Sequence, residues 1–247
     1  MNDFVFETPL IEAVIHKRPN RFIMQVELDG GVVDCHCPTT GRIGNIVLEN
    51  IPCLLSKSTN TARKTPYTVE AISVDSINTE NKSWIGINQS AANRYVEHYL
   101  KNGGFADIVG AEQQEVLREQ KIGASKLDFC VGNIYLEVKT PLQQLQIEIP
   151  LHIRAKKVTP FSSTDRMERH VSELAGSLQE HQRAIFLTCF LYDNPGFRVI
   201  ERSTNYKRVA ATIEASKAAG VEMWQVNFEL TPVGVKLKKY FKTTTTN

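Results

Sequence analysis

Asp128, Glu137 and Lys139 fall in one short stretch, KLDFCVGNIYLEVK (126–139), where two runs of alternating residues flank Gly132-Asn133. A two-residue loop of this composition between such runs predicts a β-hairpin. Alternation along a strand then sends Leu127, Phe129, Val131, Ile134, Leu136 and Val138 to one face, and Lys126, Asp128, Cys130, Tyr135, Glu137 and Lys139 to the other. With the turn at Gly132-Asn133, the register sets Asp128 directly opposite Glu137. Like charges facing each other across a ladder repel unless something positive lies between them. Carboxylates that hold Mg²⁺ or Mn²⁺ stabilise charge at a phosphodiester and activate a water, and a nearby lysine orients that water or steadies the transition state. The same residues also describe a solvated patch in which Lys126 and Lys139 pair with the two acids across the strands, each pair contributing well under about 1 kcal/mol. Spacing alone does not choose between the two.

Two features favour the site. The register opposes the acids, and the apolar face of the hairpin, together with the near-continuous apolar run AIFLTCFLY (184–192), belongs to a sheet covered on both faces. Glu119 ends a stretch, AEQQEVLREQ (111–120), expected to form a helical turn, from which it reaches the same edge as an accessory ligand. An upstream helical Glu, then an Asp, then Glu-x-Lys in an apolar strand is the spacing of the PD-(D/E)xK nucleases.

The elements that must position these residues divide into two kinds. Up to about residue 87 the chain reads as short strands separated by Gly, Pro and Asn: LIEAVIH, RFIMQVELDG, VVDCHC, CLLSKS, YTVEAISV and SWIGI. That pattern predicts a five-stranded OB-type barrel over 1–87. From Asn88 the period changes, and Ala92, Tyr95, Val96, Tyr99 and Leu100 form one stripe of a helix over about 89–102 that ends at Gly103-Gly104. The hairpin follows, then an irregular stretch (140–160) whose alternating part is expected to form a further strand. A helix from an N-cap at Thr164 to about 181 comes next, then the AIFLTCFLY strand, a helix near 205–219 and the strand VEMWQVNFEL. Residues 88–247 are therefore expected to form a mixed α/β domain, with a frayed KTTTTN tail.

Composition bounds rather than chooses the function. The 247 residues are 42% apolar and 23% charged with a formal net charge of +2, an ordinary globular balance. The five cysteines are odd in number and lack a CxxC pair, so reduced thiols are expected. Cys35-His36-Cys37 does not read as a metal site, because alternation in a strand separates His36 from both thiols. MNDFVFETPL lacks a signal-peptide pattern and no apolar run approaches the ~20 residues of a membrane span, which leads us to expect a cytoplasmic protein. Trp84 and Trp224 read as core. Lys17, Arg18, Arg21, Arg42, Arg63 and Lys64 lie in or beside turns, where a barrel gathers them around a groove for phosphates or leaves them as a solvated scatter.

Over most of its length the sequence resembles the sugar fermentation stimulation protein A (SfsA) family. The resemblance is carried by HCPTTGR (36–42), ARKTPYTVE (62–70), IGINQSAANRYVEHYL (85–100), REQKIGASKLDF (118–129), YLEVK (135–139), TDRMERHVSEL (164–174), RAIFLT (183–188) and AAGVEMWQV (218–226). It implies an N-terminal OB-like domain, a C-terminal PD-(D/E)xK nuclease-like mixed sheet flanked by helices, and DNA binding without sequence preference. It also implies nuclease-like roles for Glu119, Asp128, Glu137 and Lys139, with Asp128, Glu137 and Glu119 as Mg²⁺ or Mn²⁺ ligands. Thr164, Arg166 and His170 match its helix pattern T-x-R-x-x-x-H. The chain departs from the family where Phe161 is followed by Ser162-Ser163 rather than an acidic segment, where Met167 replaces a common glycine, and in a longer 143–158 stretch. Two readings of function follow: a DNA-binding protein that retains a metal site without cutting, and an active metal-dependent nuclease. No small-molecule substrate and no membrane partner is inferred.

Overall fold

The computed structural model describes residues 2–111, 114–122, 125–157, 165–198 and 203–243. Alternating runs at the start of the chain become strands Ile11–Lys17 (β2), Ile23–Leu28 (β3), Gly31–His36 (β4), Pro52–Lys57 (β5) and Tyr67–Ile72 (β6). They pair in the order β4-β3-β2-β5-β6, and a parallel contact between β4 and β6, at Cys35↔Tyr67 and His36↔Thr68, closes them into a five-stranded barrel. Closure leaves no free edge and lets Ile15, Met24, Val26, Cys35, Cys53, Leu55 and Val69 fill the interior. Cys35 and Cys37 point inward while His36 points out, as alternation requires, and all five thiols are buried and unpaired. Burial pushes the Cys35 thiol up to about 11 and raises those of Cys37, Cys53, Cys130 and Cys189 as well.

The second sheet joins Phe4–Val5 (β1), Val116–Ile122 (β8), Ser125–Val131 (β9), Ile134–Lys139 (β10), Arg183–Phe190 (β11), Glu222–Leu230 (β12) and Gly234–Lys242 (β13) in the order β1-β13-β12-β11-β10-β9-β8. Strands β10, β11 and β12 run parallel at its centre. Helix Gln89–Lys101 (α1) covers one face through Ala92, Tyr95, Val96 and Tyr99, against Phe129, Leu136, Leu187 and Phe228. Helix Asp165–Gly176 (α3) covers the other through Leu174, with Tyr206–Ala218 (α4) packed beside it. A short helix, Ala106–Val109 (α2), and a 3₁₀ turn over Ser177–Gln179 complete the elements.

The barrel and the mixed sheet are those the sequence predicts, with four differences. The described part of 111–120 carries no helical turn; from Val116 onward it is strand β8, whose backbone pairs with β9 from Val116↔Val131 to Ile122↔Ser125. The 140–157 stretch forms no named strand; it lies along the barrel, with Leu142, Leu145, Ile147, Ile149 and Ile153 packed on the barrel core and a single bridge from Ala155 to Ile46. Its alternation therefore serves the end of a barrel rather than a sheet. The α-helix expected to reach about residue 181 stops at Gly176 and tightens to 3₁₀, and its expected N-cap Thr164 lies outside the described residues. Residues near the N-terminus also cross the boundary drawn at residue 87: β1 pairs with β13 at Phe4↔Val235 and Val5↔Gly234, in the second sheet.

One tight contact joins the parts. Ile85–Gly86 (β7) adds to β6, and the Gly86 N–H donates to the Leu191 carbonyl at 2.9 Å, so a Cβ at Gly86 would run into the buried Leu191 side chain. At the far side of the second sheet, Glu222 accepts from Arg183 Nε at 2.6 Å and Trp224 Nε1 at 3.1 Å and pairs with Lys242 at 3.2 Å. Burial favours the neutral acid at Glu222, but the bonds from Arg183 and Trp224 and the charges of Arg183 and Lys242 outweigh it and bring its pKa to about 2.

We expect Gly86→Ala to lower stability by about 1–3 kcal/mol through overpacking, read as a shift in the urea midpoint at unchanged slope. Because the folded pKa of Glu222 lies below its ordinary 4.5, the stability it contributes is present above that value and is lost as pH falls toward 2. Glu222→Gln should therefore flatten the loss of stability between those pH values in acid titrations followed by circular dichroism.

Candidate metal centre

The turn at Gly132-Asn133 forms as expected, with Gly132 at φ +55°, and β9 and β10 pair at Ile134↔Val131, Tyr135↔Cys130 and Leu136↔Phe129. There the ladder stops. The next pair would be Asp128 and Glu137, and it does not form. On the other side of β9 the ladder to β8 passes from Arg118↔Phe129 to Gln120↔Leu127 and skips Glu119 and Asp128 as well. Glu119 itself takes a left-handed backbone, φ +50°, a conformation costing a non-glycine residue on the order of 1 kcal/mol. Asp128 is thus unpaired on both flanks, and alternation breaks beside it: Leu127 packs with Cys130 and Tyr135 toward α3, whereas Phe129 packs toward α1. The single-face arrangement read from the sequence is corrected at this point.

The Asp128 carboxylate occupies the gap. One oxygen accepts the Val138 N–H at 2.8 Å, a backbone donor that the interrupted ladder leaves without a β9 carbonyl. The other accepts Asn93 Nδ2 at 2.8 Å. Asn93 lies on α1, whose position is fixed from its first turn. The Asn88 side chain caps the Ala91 N–H at 3.2 Å and donates to Glu70 of β6 at 2.8 Å, while Gln89 Nε2 donates to the Thr140 carbonyl at 2.5 Å. Gln89 and Asn93 are four residues apart and so share a helix stripe facing the hairpin. Asn93 escapes a sequence reading focused on charge; its only signal is this polar i, i+4 pair beside the apolar stripe.

Glu137, 1% exposed, lies at the α3 side of the sheet. Its Oε1 accepts from both Lys139 Nζ and His170 Nδ1. Its Oε2 is buried and has no hydrogen-bond partner among the described residues. An anionic oxygen out of water with no donor carries a desolvation cost of about 1–3 kcal/mol or more, which a cation or a water relieves. Among the described residues no three His, Cys, Asp or Glu side chains gather as a ligand set. Two carboxylates with water filling the remaining positions nonetheless suit Mg²⁺, which keeps several waters when protein-bound. The bare Glu137 oxygen, with Asp128 at the facing ladder position, is of the donor type that a hydrated divalent ion takes.

The other candidates are placed differently. Glu119, on the β8 position facing Asp128, is exposed and pairs with Lys126 at 3.4 Å. Arg166 is exposed on α3, one turn before the buried His170, and Thr164 is outside the described residues. Of the basic residues at turns, Arg18 is spent on structure: its guanidinium donates to the carbonyls of Thr39 at 2.6 Å, Gly41 at 3.0 Å and Arg21 at 3.1 Å. Arg21 lies over the Phe22 ring at 4.7 Å, Arg42 is half-buried, and Lys17 and Lys64 are exposed. Arg63 lines a cleft between the barrel and α1.

A closed barrel followed by a mixed sheet with a splayed, acid-bearing hairpin defines a two-part protein, an OB-like domain and a mixed sheet flanked by helices. Residues 17–87 match the family described as SfsA N-terminal OB domain, and residues 90–234 match the family described as sugar fermentation stimulation protein RE domain. The chain belongs to the sugar fermentation stimulation protein (SfsA) family. It is 32% identical over 242 residues to the sugar fermentation stimulation protein homolog of Synechococcus sp., covering 94% of this chain and 92% of that protein. It is 30% identical to the homolog of Synechocystis sp., covering 95% and 96%. Among solved structures it resembles Pyrococcus furiosus SfsA in complex with Ca²⁺, with TM-score 0.74, 17% identity and coverage of 97% and 98%. No helix among the described residues is long and apolar enough to cross a membrane.

Lys139→Met leaves the buried Glu137 carboxylate with His170 as its one donor, and we expect a loss of about 1–3 kcal/mol in urea unfolding. Adding Glu137→Gln should return part of that loss, because the stranded charge goes with it.

Proposed function

We propose that the protein binds DNA without strong sequence preference and holds a divalent cation, Mg²⁺ or Mn²⁺, between Asp128 and Glu137. The observation that carries the metal half is the buried Glu137 Oε2, which has no hydrogen-bond partner among the described residues and belongs to the residue next to Val138, whose N–H Asp128 takes. A carboxylate held this way, with one oxygen committed to Lys139 and His170 and the other bare, is arranged to present a single oxygen in a fixed direction. The related Pyrococcus protein is described in complex with Ca²⁺, an oxygen-seeking ion of the same charge, and this supports an ion of that class here. DNA as partner is supported by membership of the family, by the OB-like barrel, a fold that tracks nucleic-acid backbones, and by basic residues such as Arg63 on its surface.

When bound, the ion supplies charge neutralisation at a phosphodiester and a more acidic water. The chain's own residues divide the remaining work. Asp128 is held by Asn93 and the Val138 N–H, so its free lone pairs point where the hairpin splays. Lys139 compensates Glu137 and stands where a water attacking phosphorus is to be oriented. His170 fixes Glu137 from α3. A second reading, a DNA-binding module that does not cut, is favoured by the small ligand set and by the exposed Glu119 being paired with Lys126.

Incubation of supercoiled plasmid and single-stranded circles with Mn²⁺ or Mg²⁺ separates the two. For a nuclease we expect metal-dependent nicking that falls at least a hundredfold in Asp128→Ala and Glu137→Ala. For a binding module we expect a gel shift at low salt, no nicking, and calorimetric Mn²⁺ binding that both substitutions abolish. Absence of Mn²⁺ and Mg²⁺ binding by the folded native protein would overturn the metal site under either reading.

A further inference from the structure

A cleft of about 510 Å³ opens between the barrel and α1. His36, Ser56, Lys57, Arg63, Thr68 and Glu70 line it from the barrel side, and Asn88, Ser90 and Arg94 from the helix side. Its walls are almost wholly polar, which suits a hydrophilic ligand rather than an apolar one. The one carboxylate, Glu70, is buried and already accepts Ser56 Oγ at 2.6 Å and Asn88 Nδ2 at 2.8 Å. Among the described residues, no carboxylate pairs with Lys57, Arg63 or Arg94. Arg94 instead lies against the faces of Phe4 and Tyr95, at 5.8 and 5.7 Å from their centroids, which holds the guanidinium in the cleft wall. The cleft therefore carries three cations against one carboxylate, with hydroxyl and amide donors around them, the chemistry of an anion site.

His36 agrees with this. Desolvation, and then the charge of Arg63, lower its pKa, so near neutral pH it stands as an uncharged hydrogen-bond partner in the wall. Helix α1 links the cleft to the hairpin: Ser90 and Arg94 face the cleft, while Gln89 and Asn93, one position earlier in each turn, hold Thr140 and Asp128.

We infer that this cleft binds the phosphates of a single nucleic-acid strand, with Lys57, Arg63 and Arg94 as the phosphate contacts, and delivers that strand across α1 to Asp128 and Glu137. The inference rests on the DNA-binding reading for the polymer, whereas the phosphate chemistry of the cleft stands by itself. A free nucleotide offers the same group, so the test separates the two sources.

The experiment compares the native protein with Lys57→Ala/Arg63→Ala by fluorescence anisotropy on labelled (dT)16 over a range of salt, with thymidine monophosphate in a parallel calorimetric arm. Arg94 is left in place because it packs on two aromatic rings. We expect the double variant to bind (dT)16 at least tenfold more weakly at low salt and its salt slope to fall by roughly 0.7 per cation removed. Its urea midpoint and its Mn²⁺ affinity should match the native protein. Equal (dT)16 binding by the folded variant would overturn the cleft as the strand site and leave DNA binding intact. If the native protein binds thymidine monophosphate but not (dT)16, and the variant loses it, the cleft stands as a phosphate site and the polymer reading falls. If the native protein binds neither, both fall.

Discussion

The carboxylate of Asp128 stands where the β9–β10 ladder ends, and it takes over the Val138 N–H that the missing β9 partner leaves behind. Much of the site follows from that substitution. An interrupted ladder strands backbone donors that must be satisfied, and a short acidic side chain is well suited to satisfy one of them. It also spreads the strands at the point where two acids would otherwise face each other at ladder distance. The skipped Glu119–Asp128 pair on the other flank, with Glu119 in a left-handed conformation, shows the same strain relieved on the β8 side. Asp128 is consequently oriented from both directions, by the sheet and by Asn93 of α1.

Helix α1 transmits the position of the barrel to this point. Its cap, Asn88, is bonded to Glu70 in the barrel wall, its core stripe is buried under Phe129 and Phe228, and its polar stripe ends on Thr140 and Asp128. The backbone makes the same connection, since the Ile87 N–H donates to the Glu70 carbonyl at 2.8 Å. A barrel and a sheet joined this way place the barrel's cationic wall and the hairpin's acids on neighbouring stripes of one helix.

Glu137 illustrates how a buried charge is retained. It sits in a sheet core beside Lys139 and His170, which compensate one oxygen and leave the other bare. Buried ion pairs seldom add net stability over apolar replacements, so such an arrangement is best understood through what it holds in place. His170 comes from α3 and Lys139 from the same strand as the acid, so the carboxylate is clamped between sheet and helix layer.

The sequence alone determined what depends on local period and composition. Alternation in the first 72 residues produced the barrel strands, the Tyr95–Tyr99 stripe produced α1, and Gly132-Asn133 fixed the hairpin turn, because side-chain direction and turn geometry are set by a few consecutive residues. It also marked Asp128, Glu137 and Lys139, since charged residues stand out inside apolar strands, whereas His170 entered through the family's helix pattern. Tertiary structure decided the rest. Glu119 became part of a strand because β8 had a partner edge to pair with, the 140–157 segment became a barrel cover because the barrel's open end needed apolar closure, and Asn93 and Arg94 gained roles only once α1 lay between two other elements. Such outcomes come from contacts between residues far apart in the chain, and these leave no periodic trace in the sequence.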